Sequence, residues 1–415
     1  MDDATRAALA RQLGYVIAHS PLYQAKFAGL RVDTESLHAL PFTEKDEILA
    51  DQAQHPPFGA NLCVDPSRVQ RVQKTSGTSA RPVFIALTAH DIDKTTEIGA
   101  RCFSSAGLRP DDTVVHCLNY CLWMGGYTDH ESLERTGATV VPYGVGNTAG
   151  LIDTIRTLRV TAIHCTPSYL AKLETVLDQE FALSPRDLGL RIGLFAGEGG
   201  LQSPEFRRCI EETWGMIPVN ANYGVSEALS MIAAENACRD GLRFMADGVL
   251  LPELIDPTTG AVLSIETGVQ GELVVTNLDR EAQPLVRYRT RDVLHILDNG
   301  PGGFRFEILG RSDQMLVVKG INLFPSAIAT VLGGFTGRLN GEYQIVISNT
   351  LPLQALKIRA ESVVELDDGD ASALAEAVAN AVKIACAITP EVEILPKGRL
   401  PRTEGKTVRV VRECG

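Results

Sequence analysis

Apolar residues recur at Leu9, Leu13, Val16 and Ile17, a spacing that sets them on one face of a helix, and Ser20-Pro21 ends the run. The pattern predicts an amphipathic opening helix over 4–19. From about 110 to 200 the texture changes. Short apolar runs at Thr113-Val114-Val115-His116-Cys117, Ala138-Thr139-Val140-Val141-Pro142 and Ala162-Ile163-His164-Cys165 alternate with helix-like segments at 149–158 and 168–178. Such alternation predicts a layered α/β domain with a largely parallel sheet.

Between 249 and 310 the chain becomes β-rich. Gly271 to Thr276, Val293 to Leu297 and Arg305 to Leu309 read as strands separated by Gly and Pro turns. Beyond Gly310-Arg311-Ser312-Asp313, strands at about 343–348, 355–363 and 391–395 surround a helix with an apolar stripe of Leu374, Val378 and Val382. The expected architecture is α/β. It has a large N-terminal domain over 1–311, with layered α/β sheets and a β-rich subdomain at about 249–310, and a small α+β C-terminal domain over 312–415. No fixed-period repeat or low-complexity tract interrupts it.

Composition narrows the class. A chain of 415 residues with 45% hydrophobic residues has material for a real core and for about two or three domains. A net charge of -12 repels a polyanionic backbone, so nucleic-acid binding is not expected. No apolar run is long enough for a bilayer, and the start Met1-Asp2-Asp3 lacks the features of a signal peptide, so the expected compartment is the cytoplasm, without a membrane partner. Nine cysteines without C-x-x-C spacing argue against a disulfide framework or a structural zinc site. Cys117 and Cys121, four apart, suit metal ligands on a helix, but read more simply as small buried hydrophobes.

Candidate chemistry begins at Lys74-Thr75-Ser76-Gly77-Thr78-Ser79-Ala80-Arg81-Pro82. This is no Walker A motif. Its hydroxyls and free backbone N–H groups nevertheless suit an anion, since no bulky side chain intervenes. On its own the loop also reads as a polar turn after a strand. Tyr223 alone reads more often as core than as a base platform, Asp292 equally as a turn or ion-pair residue, and Lys406 as a solvated lysine near the C-terminus.

The ordered set of segments resolves these readings. It comprises His19-Ser20-Pro21-Leu22-Tyr23, Leu40-Pro41-Phe42-Thr43-Glu44-Lys45-Asp46, the loop at 74–82, Cys165-Thr166-Pro167-Ser168-Tyr169, Phe195-Ala196-Gly197-Glu198 and Asn222-Tyr223-Gly224-Val225-Ser226-Glu227. Pro284 to Asp292, Gly310 to Leu316, Lys319 to Pro325 and Pro401 to Lys406 complete it. Nearly end to end, the chain resembles the phenylacetate-CoA ligase family of AMP-forming acyl-adenylate enzymes.

The resemblance implies roles position by position. Thr75, Ser76, Gly77, Thr78, Ser79 and Arg81 would hold the ATP phosphates. Gly197, Glu198, Asn222 and Gly224 would line the nucleotide site, with Tyr223 stacked on adenine. Asp292 would accept from the ribose hydroxyls, and Arg311 would contact the ribose. Glu227 would help hold Mg2+. Lys406 would bridge the substrate carboxylate and the α-phosphate, stabilising the charge of the transition state. The small domain would rotate between adenylation and thioester formation about Asp313, with Lys319 and Gly320 lining the tunnel for CoA. Tyr120, Trp123, Met124, Gly125 and Gly126, with Ala196 and Gly197 opposite, would hold a flat aromatic acid of benzoate, anthranilate or phenylacetate type. Asp129 and His130 would meet a ring substituent. The implied cofactors are ATP, Mg2+ and CoA, with an acyl carrier protein thiol as the alternative acceptor, and a homodimer is expected by analogy.

Three departures stand out. Ala80-Arg81 replaces the usual Gly-Lys of the loop, which keeps a cation. Thr290-Arg291-Asp292 replaces Thr-Gly-Asp, which keeps the ribose acid. Some relatives bind zinc through Cys, His and a later Cys-x-Cys. Here Cys238 remains, Arg243 replaces the His and 297–304 has no Cys, so no zinc is expected.

Overall fold

The structure, a computed structural model, describes the chain except residues 76–81, 199–200, 301, 319–320, 336, 349–352, 354–355, 402–408 and 414–415; at 322, 348 and 413 it describes the backbone alone. By internal contacts the chain forms two compact units, Met1–Glu198 with Trp214–Ile308, and Gly199–Thr213 with Leu309–Gly415.

The first unit opens with helix α1 (Asp3–His19), as the periodicity predicts. Asp2 Oδ1 accepts from the Thr5 N–H at 2.7 Å, satisfying one of the open donors of the first turn, and Leu9, Leu13 and Val16 are buried. Ser20 ends α1 and Pro21 starts the next short helix, where a missing N–H costs nothing.

Twelve strands form one sheet: β1 (Thr113–His116), β2 (Thr139–Pro142), β3 (Ala162–Cys165), β4 (Ile192–Ala196), β5 (Ile217–Val225), β6 (Leu229–Ala234), β7 (Leu242–Phe244), β8 (Leu250–Ile255), β9 (Val262–Leu263), β10 (Gln270–Asn277), β11 (Tyr288–Gly300) and β12 (Gly303–Arg311). Their order is β9-β8-β10-β11-β12-β7-β6-β5-β4-β3-β1-β2. The runs predicted around 113, 138 and 162 are parallel strands of this sheet. β5 pairs parallel with β4 and antiparallel with β6, so the β-rich stretch after 249 continues the same ladder rather than forming a sheet apart.

Strand order also places the site. β1 lies between β2 and β3, so the chain steps from β1 to β2 on one side and then crosses back to β3 on the other. In parallel α/β sheets the crevice beyond the carboxyl ends of the strands at such a reversal is where ligands bind. Two helices pack against each other and the sheet: α3 (Ala89–Ser105), opened by a Thr88/Asp91 capping box, and α4 (Met124–Arg135). Helix α2 (Lys45–Gln54) starts with its own capping box, Glu44 with Glu47.

In the second unit, Leu339–Ser348 pairs antiparallel with Lys357–Ser362 and parallel with Val410–Glu413, while Lys357–Ser362 pairs parallel with Glu391–Leu395. Helix α5 (Asp368–Cys386), capped by Asp367 accepting from the Asp370 N–H at 2.8 Å, buries the predicted stripe of Leu374, Val378 and Val382 in the core that holds Ile345 and Ile358. Among the described residues no helix is long and apolar enough to cross a membrane.

Candidate active site

At the reversal point two histidines face each other. In the parallel register His116 pairs with His164, and their rings stack with Nδ1 to Nδ1 at 2.8 Å. His116 Nε2 lies 2.8 Å from the Gly126 carbonyl, which only accepts, so Nε2 carries the hydrogen. His116 Nδ1 then accepts from His164 Nδ1–H, and His164 Nε2 is left with a lone pair, 3.8 Å from Asp129 Oδ2. Neither His164 Nε2 nor Asp129 Oδ1 has a hydrogen-bond partner among the described residues. Burial pushes the Asp129 carboxyl well above the usual carboxylate range, His164 well below the imidazole range, and His116 down to about 4. Burial thus favours the uncharged form of all three groups.

Asp129 reaches the neighbouring strands through Asn222, whose Nδ2 donates to Oδ2 at 2.8 Å. Asn222 pairs with Ala196 across β4 and β5, so Ala196, Asn222 and Asp129 converge. In front of them the chain from Asn119 to Gly126 doubles back so tightly that a Cβ on Gly126 would lie 2.3 Å from the Asn119 oxygen, which only glycine permits. Tyr120 Oη is hydrogen-bonded to His130 Nδ1 at 3.0 Å, Tyr127 stacks on His130 at 5.9 Å, and Arg71 sits 4.5 Å above the Tyr127 ring. Met124 is buried, and Trp123 and Gly125 are half-buried at the start of α4.

The strand Arg71–Lys74 connects this wall to the phosphate loop. The Lys74 N–H donates to the Leu122 oxygen at 2.8 Å, and Thr75 closes the base of the loop against Val83 through bonds of 3.0 and 3.1 Å. Of the loop residues read from the sequence, Thr75 is placed; Ser76, Gly77, Thr78, Ser79 and Arg81 lie outside the described residues, as do Lys319, Gly320 and Lys406.

On β5, Tyr223 donates to Asp292 Oδ2 at 2.8 Å and meets Phe306 edge to face at 5.6 Å. Gly224 has a structural reason to be glycine, since a Cβ there would lie 1.8 Å from the Ser230 oxygen across the hairpin. Gly197 turns the chain at the end of β4 with φ +79°, and Glu198 accepts from the Ser168 N–H and hydroxyl at 3.2 and 2.9 Å. Glu227 is buried apart from one edge and forms an ion pair with Lys45 at 2.9 Å. A single hard carboxylate suits Mg2+, which keeps water and takes further ligands from phosphate oxygens, so Glu227 fits that ion. Sequence reasoning missed Lys45. Its only signal was membership of the Leu40–Asp46 segment.

Arg291, in the place of the usual glycine before Asp292, adopts φ +70°, and its side chain pairs with Glu44. Arg243, in the place of the zinc-binding histidine of some relatives, donates to the Gly302 and Gly303 carbonyls at 3.4 and 2.9 Å. In the second unit Arg311 grips Asp313 with a two-pronged pair at 2.9 and 2.7 Å.

The parallel α/β sheet with its reversal point, and a second small unit with a sheet of its own, are the frame of an AMP-forming acid-activating enzyme. Family comparison agrees. Residues 18–278 match the AMP-binding enzyme model, and residues 320–413 the AMP-binding enzyme C-terminal domain. The phenylacetate-coenzyme A ligase of Pseudomonas putida is 33% identical over 98% of this chain and 94% of that protein; that of Escherichia coli is 31% identical over the same shares. A crystal structure of 2-hydroxyisobutyryl-CoA ligase with 2-HIB-AMP superposes with a TM-score of 0.86 at 28% identity, covering 99% of this chain and 89% of that one. The chain belongs to the AMP-binding enzyme family, among the phenylacetate-CoA ligases and their acid–CoA ligase relatives.

Proposed function

We propose that the enzyme converts a flat aromatic carboxylic acid, of benzoate, anthranilate or phenylacetate type, to its CoA thioester. The acid's carboxylate attacks the α-phosphorus of ATP and pyrophosphate leaves; the thiol of CoA then attacks the acyl carbon, loses its proton and displaces AMP. The observation that carries the aryl assignment is the wall of Tyr120, Tyr127 and His130, coupled to the nucleoside residues through Asp129 and Asn222. Flat apolar faces with few polar edges favour a ring over an alkyl chain.

In this reading Tyr223 offers its ring to adenine and Asp292 its carboxylate to the ribose hydroxyls. The loop from Thr75 to Arg81 cradles the phosphates with N–H groups and hydroxyls, and Glu227 would hold Mg2+, which would supply positive charge beside the phosphates. Lys406 stabilises charge at the α-phosphate. Arg311, Asp313, Lys319 and Gly320 serve the ribose, the hinge and the CoA tunnel. Support for CoA as acceptor comes from the relatives, named as coenzyme A ligases over nearly their whole length.

The test is a pyrophosphate-release screen over aromatic and aliphatic acids, with and without CoA. Release with an aryl acid, and thioester only when CoA is present, is the expected result. Preference for a short or long aliphatic acid would overturn the aryl assignment.

A further inference from the structure

The Leu40–Asp46 segment has no role in the reading above, yet the fold holds it firmly against the nucleotide site. The Thr43 N–H donates to the Arg287 oxygen at 2.9 Å, the Arg289 N–H donates to the Thr43 oxygen at 3.0 Å, and Thr43 Oγ1 donates to the Val286 oxygen at 2.7 Å. Glu44 pairs with Arg291, the residue before Asp292. The next residue, Lys45, sends its ammonium to Glu227 Oε1 at 2.9 Å.

Helix preference does not explain a lysine there. Lys45 is the first residue of α2, where the unsatisfied N–H groups give the helix end a partial positive charge and a cation is unfavourable. The other charged residues of that turn, Asp46 and Glu47, follow the opposite and usual rule. The Glu227 carboxylate accounts for the ammonium. Its side chain is 9% exposed, and unneutralised it would face an incoming polyphosphate with a charge of the same sign.

We propose that Lys45 is the resident counter-ion of the nucleotide site: it neutralises Glu227 while no metal is bound, and so sets how strongly ATP binding depends on Mg2+. The proposal rests on the reading of Glu227 as the acid beside the ATP phosphates. With Lys45 in place, the site meets ATP without a net negative charge from Glu227. The Glu227 carboxylate would hold Mg2+ in place of the ammonium once the metal is bound. Among the described residues Lys45 is the ion-pair partner of Glu227, so without it the balance of that carboxylate shifts to the metal.

The experiment is calorimetric titration of ATP into the full chain without any acid substrate, once with excess Mg2+ and once with EDTA. In Lys45→Met the ratio of the EDTA to the Mg2+ dissociation constant should rise about tenfold over the unaltered protein. Lys45→Arg, which keeps the charge, should stay within about threefold of it. Glu227→Gln, a second route should Lys45→Met not fold, should reduce the ratio. An unchanged ratio in Lys45→Met, or an equal loss in both buffers, makes Lys45 at most a plain phosphate ligand and overturns the proposal, as does an unchanged ratio in Glu227→Gln. Because no acid is present, failure of the aryl assignment leaves this result standing, whereas absence of ATP binding in both buffers would overturn the nucleotide-site reading itself.

Discussion

Tyr223 donates its phenolic hydrogen to Asp292 Oδ2 across 2.8 Å, so the ring proposed for adenine and the carboxylate proposed for the ribose are held to each other by the protein itself. Preorganisation of this kind lowers the entropy that binding must overcome. Tyr223→Phe keeps the ring and removes the lock. A hydrogen bond to a charged group contributes about 1.5 kcal/mol or more, so KM for ATP should rise about tenfold while the selectivity among acids is unchanged. Steady-state kinetics with ATP varied at saturating acid reads this directly.

Much of this arrangement was legible in local pattern. The stripe of Leu374, Val378 and Val382 marked α5, and the apolar runs near 113, 138 and 162 marked three parallel strands, because burial on a helix or strand repeats with the local period. What sequence could not supply was which elements become neighbours. His116 and His164 each read as one polar residue in an apolar strand, and only the strand order, which depends on non-local pairing, brings them to 2.8 Å. For the same reason the β-rich stretch looked separate, although β5 joins it to the parallel sheet. Lys45 was invisible as a partner of Glu227 because the contact exists only once Thr43 is bonded to residues 286–289.

Arg291 tests whether a departure from the family pattern carries a cost. Its φ of +70° is strained by about 1–2 kcal/mol for a side-chain-bearing residue. Replacing it by glycine relieves that strain but loses about 0.5–1 kcal/mol to unfolded-chain entropy and at most about 1 kcal/mol from the half-exposed pair with Glu44. Arg291→Gly should therefore change stability by no more than about 1.5 kcal/mol in either direction. Arg291→Val loses the pair and fits the left-handed backbone worse still, so it should destabilise by about 2 kcal/mol. Urea unfolding of both variants separates the cases. Equal large losses would show that the ion pair, not the backbone, dominates.

Asp129 should make stability depend on pH in a direction unusual for a carboxylate. Its folded state holds the proton more tightly than the unfolded chain, so its contribution is fully present below the unfolded value of about 4 and drains away as pH rises, by up to about 1.4 kcal/mol per pH unit. The groups facing it, His116 and His164 from the strands, have lowered values and act oppositely: their contribution is lost as pH falls below about 6.5. His130 on its own helix, Cys102 on α3 and Asn222 complete the surroundings. Asp129→Asn keeps an acceptor for Asn222 and cannot ionise. It should melt higher than the unaltered protein at pH 8, with the gap narrowing toward pH 4. A lower melting temperature at pH 8 would show that Asp129 is held as a carboxylate.

Trp123 carries the most exposed claim about the substrate. Its backbone is fixed independently of its ring, since its carbonyl accepts from the Gly126 N–H at 3.2 Å and Gln73 Nε2 at 3.3 Å, and the ring makes no capping bond to α4. Trp123→Ala should thus leave the turn in place and remove only apolar contact with the acid. A lost ring contact of about 2 kcal/mol lowers kcat/KM for an aryl acid about thirtyfold relative to acetate. ATP binding should change little, because Tyr223, Asp292 and Thr75 belong to other segments. Competition between an aryl acid and acetate, followed by thioester analysis for the unaltered protein and the variant, measures the ratio. An unchanged ratio would place the acid away from residues 120–126.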